Sequence, residues 1–385
     1  MGIISPAERL LAFSDPSGPV ESGLLTVDLA ALVGNWRKLA SMAGAAECGA
    51  VVKADGYGLG QAAVMRALAA AGCRTFFVAN LLEGETARAL APRATIYVLD
   101  GVAPGCAPRL AAAGLRPAIG SFEELAEWAA ASATLGRKLE AAIHFDTGMN
   151  RLGFAPEDAA EVAMRARAIA PTLVMSHFVS AQLPESPLNA RQIGDFLSAR
   201  THFPGVPASM ANSSGVFLPQ RPHFDLVRPG YALYGGNPTP GVENPMRPAA
   251  RLCARIISVR DLATGETVGY DGVWSAPRPS RVATIGAGYA DGLPVSATAA
   301  PGKPAGEAIV GGVRCPFVGR VSMDYVVLDV TEAPRDAARR GEWVELLGDT
   351  IAIEELAARA GSIGYEVLTR LGRRYARRCV GSQCA

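Results

Sequence analysis

Residues 49–60 of this 385-residue chain read GAVVKADGYGLG. The apolar residues 49–52 are typical of a short buried strand, and Lys53 stands where that strand would end. Glycines in the following loop allow the backbone to approach another group closely. An alanine-rich helical pattern then covers residues 61–71. The stretch therefore predicts a strand, a loop and a helix, with an amine at the strand end.

Lys53 is a candidate nucleophile or base. It is one of four lysines among the 37 Lys and Arg residues of the chain. Desolvation at the end of a buried strand lowers the pKa of a lysine, and the neutral amine is then available for chemistry. The structural alternative is a lysine that extends from the strand end into solvent, and the local pattern leaves both interpretations open.

Strands and helices continue to alternate as far as residue 228. The strand-like runs lie at residues 49–53, 75–79, 95–99, 115–119, 139–145, 172–177, 208–211 and 225–228. Helical patterns lie at residues 28–43, 61–71, 83–90, 105–113, 122–132, 156–169 and 189–200. Short apolar strands separated by helices favour parallel pairing, and eight such strands predict a closed (β/α)₈ barrel of the TIM type. An open doubly wound sheet is the alternative, but no G-x-G-x-x-G motif opens the first helix.

The composition changes near Pro248, where Val, Thr, Gly and Pro become frequent and apolar residues alternate. This pattern predicts a second, mostly β domain with one clear helix at residues 353–360. We expect an N-terminal extension over residues 1–22 that packs with the C-terminal domain, a barrel over residues 23–245, and a β-rich C-terminal domain over residues 246–385.

Composition excludes several classes of function. The formal net charge of +1, with Lys and Arg scattered along the chain, argues against nucleic acid or an anionic membrane as partner. Seven cysteines without C-x-x-C pairs favour free thiols. No apolar run reaches the length of a membrane span and no signal-peptide pattern opens the chain, so we expect a soluble cytoplasmic protein. No metal site is predicted, because the four histidines lack ligand spacing; they are His144, His177, His202 and His223.

Polar residues follow the predicted strands at the ends that would form one mouth of the barrel. After strands five to eight the chain reads Asp146-Thr147-Gly148-Met149-Asn150-Arg151, Ser176-His177, Asn212-Ser213-Ser214-Gly215 and Arg228-Pro229-Gly230-Tyr231. Barrels of this type place their chemistry at this mouth and commonly bind phosphate through the loops after strands seven and eight. The cluster predicts an active site with a reactive lysine, a histidine, two arginines and a phosphate-binding loop.

Each member of this cluster also has a purely structural interpretation. His177 is compatible with a core histidine bonded to backbone, and Arg228 with a rim ion pair to Asp225. Ser213 and Ser214 are compatible with a helix cap, which is also how a phosphate-binding helix start is built. The occurrence of all of them at one barrel mouth favours the functional interpretation.

Nine short motifs occur in an order that is known from one enzyme family. They are Val52–Gly60, Asp146–Gly153, Ser176–Phe178, Ala211–Ser214, Val227–Gly235, Val268–Tyr270, Ile285–Gly292, Gly319–Asp324 and Gly364–Val367. In these motifs the chain resembles the pyridoxal-phosphate-dependent alanine racemases, a two-domain family with a barrel. The resemblance implies pyridoxal 5'-phosphate as the cofactor.

The resemblance also implies two catalytic bases. Lys53 matches the lysine that holds the cofactor covalently and then serves as one base, and Tyr270 matches the second base, on the opposite face of the same substrate carbon. Inversion requires this arrangement, because one base removes a proton and the other returns a proton from behind. His177 matches a residue that contacts the second base. Arg228 matches the residue facing the pyridine nitrogen, and since an arginine only donates, that nitrogen should stay unprotonated, which favours racemisation over transamination.

Further cofactor-binding and substrate-binding positions follow from the same resemblance. The residues that match the phosphate cradle are Tyr57, Ser213, Gly230, Tyr231 and Tyr365. Arg151 and Met323 match groups near the substrate carboxylate and the ring hydroxyl of the cofactor, and Tyr289 with Tyr365 should keep the pocket small. The family supplies the residues that match Tyr270, Tyr289 and Met323 from the partner subunit, which implies a homodimer with shared active sites.

The chain departs from the family pattern at His144. Many members carry there a lysine modified to a carbamate, which a histidine cannot form stably, so the environment of Arg151 must differ. Leu59 and Ser322 replace a histidine and a cysteine that are common at their positions.

Four functions remain to be compared. The resemblance favours racemisation of alanine, which supplies D-alanine for peptidoglycan, and the alternative is a racemase of the same fold that accepts serine or basic amino acids. A related decarboxylase would usually carry a carboxylate in place of Arg228 and a cysteine in place of Tyr270. A non-enzymatic cofactor-binding protein of the single-barrel type would lack the second domain.

Overall fold

The computed structural model describes residues 22–298 and 304–381. It divides into two compact units. One is Ala30–Arg247, and the other is the chain from Pro248 onward together with the segment that ends at Leu29. The predicted N-terminal extension, residues 1–22, lies outside the described residues except for Ser22.

The first unit contains a closed barrel of parallel strands. Seven of them pair in chain order, namely Ala50–Val51, Thr75–Val78, Thr95–Val98, Arg116–Ile119, Glu140–His144, Ala170–Met175 and Ala208–Ser209. The eighth, Leu226–Val227, pairs with Glu47–Cys48, which directly precedes the first strand. A backbone hydrogen bond of 3.0 Å from Asp225 N to Ala208 O joins the seventh and eighth strands and closes the ring. The predicted (β/α)₈ barrel is confirmed.

Helices follow the barrel strands where the sequence supplies starting signals. The α-helices are Leu29–Ala43, Gln61–Ala71, Leu81–Leu90, Ala107–Ala112, Phe122–Thr134, Ala159–Arg165 and Pro187–Arg200. The segment Lys53–Tyr57 is a short turn and not an α-helix, because its residues 54–57 have positive φ angles. Short 3₁₀ turns lie at Pro156–Asp158, Ala166–Ala168, Ser214–Phe217 and Tyr231–Tyr234. Asn80 and Ser121 cap two of the helices, because their side-chain oxygens accept the backbone N–H groups of Glu83 and Glu124.

The second unit is a mostly antiparallel β structure. Its strands are Gly23–Asp28, Ala250–Leu262, Thr267–Val268, Trp274–Ser275, Ser280–Ile285, Glu307–Val310, Val313–Val318, Val326–Asp329, Trp343–Leu347 and Ala376–Val380. Its helices are Ile353–Ala360 and Gly364–Thr369, with 3₁₀ turns at Tyr270–Gly272, Tyr289–Asp291 and Val295–Ala297. Val268, Val282 and Val318 form part of its buried core. The predicted β-rich second half of the fold is confirmed.

The start of the barrel differs from the prediction. Gly23–Asp28 was expected within the barrel, but it forms a strand of the second unit, where it pairs antiparallel with Ala250–Leu262 and parallel with Ala376–Val380. An apolar run indicates a buried strand but does not identify a partner that lies more than two hundred residues away. No helix in the described parts of the chain combines the length and the apolar character needed to cross a membrane.

Candidate active site

Lys53 lies two residues after the first barrel strand and is partly buried at the carboxyl end of the strands. Burial lowers the pKa of Lys53, and the positive charge of Arg151 lowers this pKa further. The negative charges of Asp100 and Glu83 act in the opposite direction without cancelling the effect. The amine is therefore easier to deprotonate than that of a lysine in water.

The turn after Lys53 is left-handed. Four consecutive residues have positive φ angles, which are 53° at Ala54, 52° at Asp55, 63° at Gly56 and 53° at Tyr57. A hydrogen bond of 2.8 Å from Gly58 N to Ala54 O closes the turn. Left-handed helical backbone costs an L-residue about 1–2 kcal/mol, so surrounding contacts must hold this turn in place. The sequence offered no signal for it beyond the Asp-Gly pair.

Tyr57 ends the turn and lies against the loop after the eighth strand. Its ring stacks on that of Tyr234 with centroids 4.5 Å apart, and the Tyr234 hydroxyl donates to Val51 O at 2.9 Å. A Cβ atom on Gly230 would lie 2.3 Å from the Tyr57 hydroxyl oxygen. The backbone at position 230 therefore approaches the phenol so closely that only glycine fits.

Ser213 joins the loops after the seventh and eighth strands. Its Oγ accepts the backbone N–H groups of Gly230 at 3.0 Å and Ala232 at 3.1 Å. A serine hydroxyl has two acceptor sites and one donor, so these two bonds orient the O–H to donate elsewhere. Tyr231 begins the 3₁₀ turn that follows and is buried. The structure thus brings together the residues predicted for a phosphate site within this unit.

Arg228 is buried beneath this region, with 3% of its surface exposed. Its guanidinium donates to Ser209 Oγ at 2.5 Å and to Ser176 O at 2.6 Å, and it lies 5.8 Å from the ring centroid of Phe77. Burial lowers its pKa to about 9, so the group stays protonated at neutral pH.

The rim ion pair between Arg228 and Asp225 is not formed. The Asp225 carboxylate instead accepts the backbone N–H of Ala208 at 2.7 Å. Among the described residues the hydrogen-bond partners of Arg228 are both uncharged. A buried cation of this kind is costly without an acceptor, and the remaining N–H groups suit a ligand atom that accepts a hydrogen bond.

The two histidines near Arg228 are neutral at physiological pH. Burial lowers the pKa of His177 to about 3, helped by the positive charges of Arg228 and Arg151. Burial and Arg228 likewise lower the pKa of His144 to about 4. These mutual effects place the two imidazoles, Lys53 and both arginines in one electrostatic cluster.

Gln192 is a buried supporting residue that the sequence analysis missed. It lies on the helix Pro187–Arg200 with 1% exposure. Its amide donates to Thr147 Oγ1 at 3.1 Å and to His177 O at 3.0 Å, and its oxygen accepts Val179 N–H at 3.0 Å. A single glutamine in a polar helix gives no sequence signal for this role.

The loop after the fifth strand is organised by Asp146. Its carboxylate accepts the backbone N–H groups of Gly148 and Met149, both at 2.8 Å, and of Arg151 at 3.2 Å. Desolvation raises the pKa of Asp146, but the backbone donors outweigh it and the net pKa is lowered. The ionised carboxylate fixes the backbone from which the exposed Arg151 side chain extends.

The remaining predicted residues lie in the second unit and are exposed there. The exposed fractions are 70% for Tyr270, 44% for Tyr289, 53% for Met323 and 42% for Tyr365. The loops of Tyr289 and Met323 are hydrogen-bonded to each other. Tyr289 N donates to Ser322 O and Ala290 N donates to Met323 O, both at 3.0 Å.

The loop of Tyr270 is linked to the strand end before Met323 by an ion pair of 3.1 Å between Asp271 and Arg320. Three of the four predicted residues therefore lie on neighbouring loops of one unit. Large exposed side chains of this kind are typical of a surface that contacts a ligand or a partner.

Comparison with known proteins identifies the family of this chain. A family model described as the N-terminal domain of alanine racemase matches residues 27–238, and one described as its C-terminal domain matches residues 249–379. This chain belongs to the alanine racemase family. The alanine racemase of Methylobacterium nodulans is 56% identical over 355 residues, which cover 92% of this chain and 95% of that protein.

Solved alanine racemases share the fold. The enzyme from Bartonella henselae, with covalently bound pyridoxal phosphate, is 33% identical, with a TM-score of 0.88 over 94% of this chain and 100% of that one. The biosynthetic alanine racemase from Pseudomonas aeruginosa is 34% identical, with a TM-score of 0.85 and the same coverage. As a member of this family, the chain is a pyridoxal-phosphate-dependent isomerase.

The residues of this alanine racemase family member fit the cofactor. Lys53 offers an amine of lowered pKa to an aldehyde, and Arg228 offers donors to a ring nitrogen. The close backbone approach at Gly230 and the Ser213 hydroxyl offer a cradle for phosphate after strands seven and eight.

Proposed function

We propose that this enzyme interconverts L-alanine and D-alanine by a two-base mechanism, with Lys53 and Tyr270 as the bases. The observation that carries the proposal is the environment of Lys53, a partly buried strand-end amine whose pKa is lowered by burial and by Arg151. Relatives named alanine racemase, up to 56% identical, support alanine as the substrate.

The barrel residues would hold the cofactor and prepare the reacting carbon. When bound, pyridoxal phosphate withdraws electrons from the substrate α-carbon and makes its hydrogen acidic. Lys53 anchors the cofactor and moves a proton to or from that carbon. Arg228 donates to the ring nitrogen without protonating it, which limits electron withdrawal and favours return of the proton over transamination. The proposed phosphate ligands are Tyr57, Ser213, Gly230, Tyr231 and Tyr365.

Tyr270 would act from the face opposite Lys53. A phenol has an unperturbed pKa of about 10, so it needs a neighbour that exchanges its proton. His177 is suited to this because its neutral imidazole both accepts and donates. Arg151 is proposed to bind the substrate carboxylate.

The exposure of Tyr270, Tyr289 and Met323 supports a homodimer in which these side chains complete the site of the partner subunit. In this arrangement Tyr289 and Tyr365 would limit the pocket to small side chains, which favours alanine over serine or basic amino acids.

A biosynthetic role, the supply of D-alanine for peptidoglycan, is the proposed physiological function. Two relatives from Agrobacterium fabrum bear on this point, one named biosynthetic and 43% identical, the other named catabolic and 44% identical. This chain is thus about equally similar to a biosynthetic and to a catabolic relative.

The two-base mechanism is tested with Tyr270→Phe in deuterated water. We expect the variant to lose inversion of L-alanine but to retain exchange of the α-proton of D-alanine, because Lys53 still serves its own face. Circular dichroism follows inversion, and mass spectrometry follows deuterium at the α-carbon.

Tyr325→Phe is the matched control, because Tyr325 is a second exposed tyrosine of the same unit with 49% exposure. Equal loss of exchange from both enantiomers in Tyr270→Phe contradicts the assignment of two bases. Wild-type enzyme that inverts serine, arginine or lysine as fast as alanine contradicts the substrate assignment.

A further inference from the structure

The carboxylate of Glu83 bridges two strand ends of the barrel. One oxygen accepts the backbone N–H of Ala54 at 2.7 Å, and the other accepts that of Ala79 at 2.8 Å. Glu83 lies in the first turn of the helix Leu81–Leu90 and is partly buried. Its position is itself fixed, because its own backbone N–H donates to Asn80 Oδ1 at 3.0 Å.

One end of this bridge is the residue directly after Lys53. Ala54 is the first residue of the left-handed turn and has a φ of 53°, a conformation that an L-residue adopts only under constraint. A charged acceptor makes a stronger hydrogen bond than a neutral one. The bond from Ala54 therefore supplies a constraint at the point where strain begins.

A second contact binds the same helix to the turn. Gln61 donates from its side chain to Glu83 O at 3.3 Å, and its backbone N–H donates to Asp55 Oδ1 at 2.8 Å. The turn is thus held at Ala54 by Glu83 directly, and at Asp55 by Gln61, whose side chain bonds to the backbone of Glu83.

We propose that Glu83 is a positioning residue for Lys53. Its carboxylate holds the left-handed turn against the end of the second strand and so fixes the direction of the lysine side chain. The inference rests on the proposed catalytic role of Lys53. Proton transfer depends on geometry within a fraction of an ångström, so release of the turn lowers turnover more than substrate binding.

The chain contains a matched control for this role. Glu124 lies at the equivalent position after the helix cap Ser121, and its carboxylate accepts Gly120 N–H at 2.7 Å and Val102 N–H at 3.3 Å. It bridges two other strand ends of the same barrel. Glu124→Gln therefore removes the same chemistry from the barrel without altering the turn after Lys53.

The test compares holoenzymes of Glu83→Gln and Glu124→Gln with wild type. Glutamine matches the size of glutamate, but its NH₂ group cannot accept a hydrogen bond. One of the two backbone N–H groups therefore loses its acceptor. In Glu83→Gln we expect faster hydrogen–deuterium exchange in the peptide covering residues 53–57. We also expect kcat to fall about ten- to a hundredfold while KM stays within about twofold. Glu124→Gln should leave both the exchange at residues 53–57 and kcat close to wild type.

Wild-type kcat in Glu83→Gln, or equal losses in the two variants, overturns the proposal. If Glu83→Gln does not fold, Glu83→Asp replaces it, since the shorter carboxylate keeps the charge but cannot span both N–H groups. Lys53→Ala separates the two hypotheses. If Lys53→Ala still racemises alanine, the proposed function is rejected. If Lys53→Ala loses racemisation while Glu83→Gln keeps a normal kcat and normal hydrogen–deuterium exchange, only the positioning role is rejected.

Discussion

His144 occupies the position at which many alanine racemases carry a carbamylated lysine. Burial lowers the pKa of His144 to about 4, with Arg228 as the next cause, so the imidazole is neutral near pH 7. It therefore supplies no negative charge to Arg151. Asp146 instead holds the backbone of Arg151, because the Arg151 N–H donates to its carboxylate at 3.2 Å.

The neutral histidines make stability depend on pH. An unfolded histidine titrates near 6.5, whereas the pKa values of His144 and His177 in the folded chain are about 4 and about 3. As the pH falls from 6.5 toward 4, the unfolded chain binds protons that the folded chain does not, so the free energy of unfolding decreases. His144→Asn removes one of the groups that bind these protons. Between pH 6.5 and 4 the free energy of unfolding should therefore decrease less in this variant than in wild type. Urea unfolding at a series of pH values measures the difference.

His202→Asn provides the comparison, because His202 is an exposed histidine of the same unit. This variant controls for the replacement of a histidine by an asparagine outside the buried cluster. If the free energy of unfolding depends on pH in the same way for His144→Asn and wild type, His144 binds its proton equally in the folded and unfolded chains. That result contradicts the expectation.

At the scale of elements, the loop after the eighth strand and the turn after the first strand meet at one point. A Cβ on Gly230 would lie 2.3 Å from the Tyr57 hydroxyl oxygen. Gly230→Ala should therefore displace Tyr57 from the proposed phosphate site and weaken cofactor binding about tenfold or more, a loss of at least about 1.4 kcal/mol. Titration of the cofactor-free protein with pyridoxal phosphate measures the dissociation constant.

Gly194→Ala is the control, because a Cβ at this exposed helical position meets nothing within 4 Å. It should bind the cofactor like wild type and gain slightly in stability, by about 0.5–1 kcal/mol. Unchanged cofactor affinity in Gly230→Ala would mean that the two loops separate without affecting the site.

Local patterns predicted most elements but not their finer conformation. The barrel strands were found because each is a short apolar run, and their helices because capping residues and alanine-rich patterns are local signals. The left-handed turn at residues 54–57 was not predicted, because three of its residues are not glycine and no local propensity favours such a turn. Contacts outside the turn hold it instead, among them the hydrogen bond from Ala54 N–H to Glu83.

At the scale of the whole molecule, the proposed sharing of active sites between two subunits makes a quantitative prediction. Lys53→Ala and Tyr270→Phe should each be inactive for inversion of L-alanine as homodimers. If each site combines Lys53 of one subunit with Tyr270 of the partner, a mixed dimer contains one site with both residues intact. An equimolar mixture after subunit exchange should then recover about a quarter of wild-type activity, since half of the dimers are mixed and half of their sites are intact.

Racemisation of L-alanine by the mixture, measured against the separate variants, decides the matter. A mixture that stays inactive after exchange, verified by two distinguishable tags, contradicts the proposed sharing of Tyr270 between subunits.

The whole-molecule prediction of two structural parts came from a change of composition near Pro248, but the assignment of Gly23–Asp28 was wrong. That strand has the apolar residues of a barrel strand, and its partners, Ala250–Leu262 and Ala376–Val380, are distant in sequence. Pairing over such separations depends on the completed fold and leaves no local trace. The site residues of the second unit were found only through the family motifs, since exposed tyrosines have no distinctive periodicity.

The position of Gly23–Asp28 has a consequence for synthesis on the ribosome. This strand is made before the barrel, yet it lies between two strands that are both made after the entire barrel. The barrel has all of its strands once Leu226–Val227 has emerged, so it can close while the chain is still growing. The early strand must wait with both edges unpaired, and the second sheet is finished only when Ala376–Val380 leaves the exit tunnel.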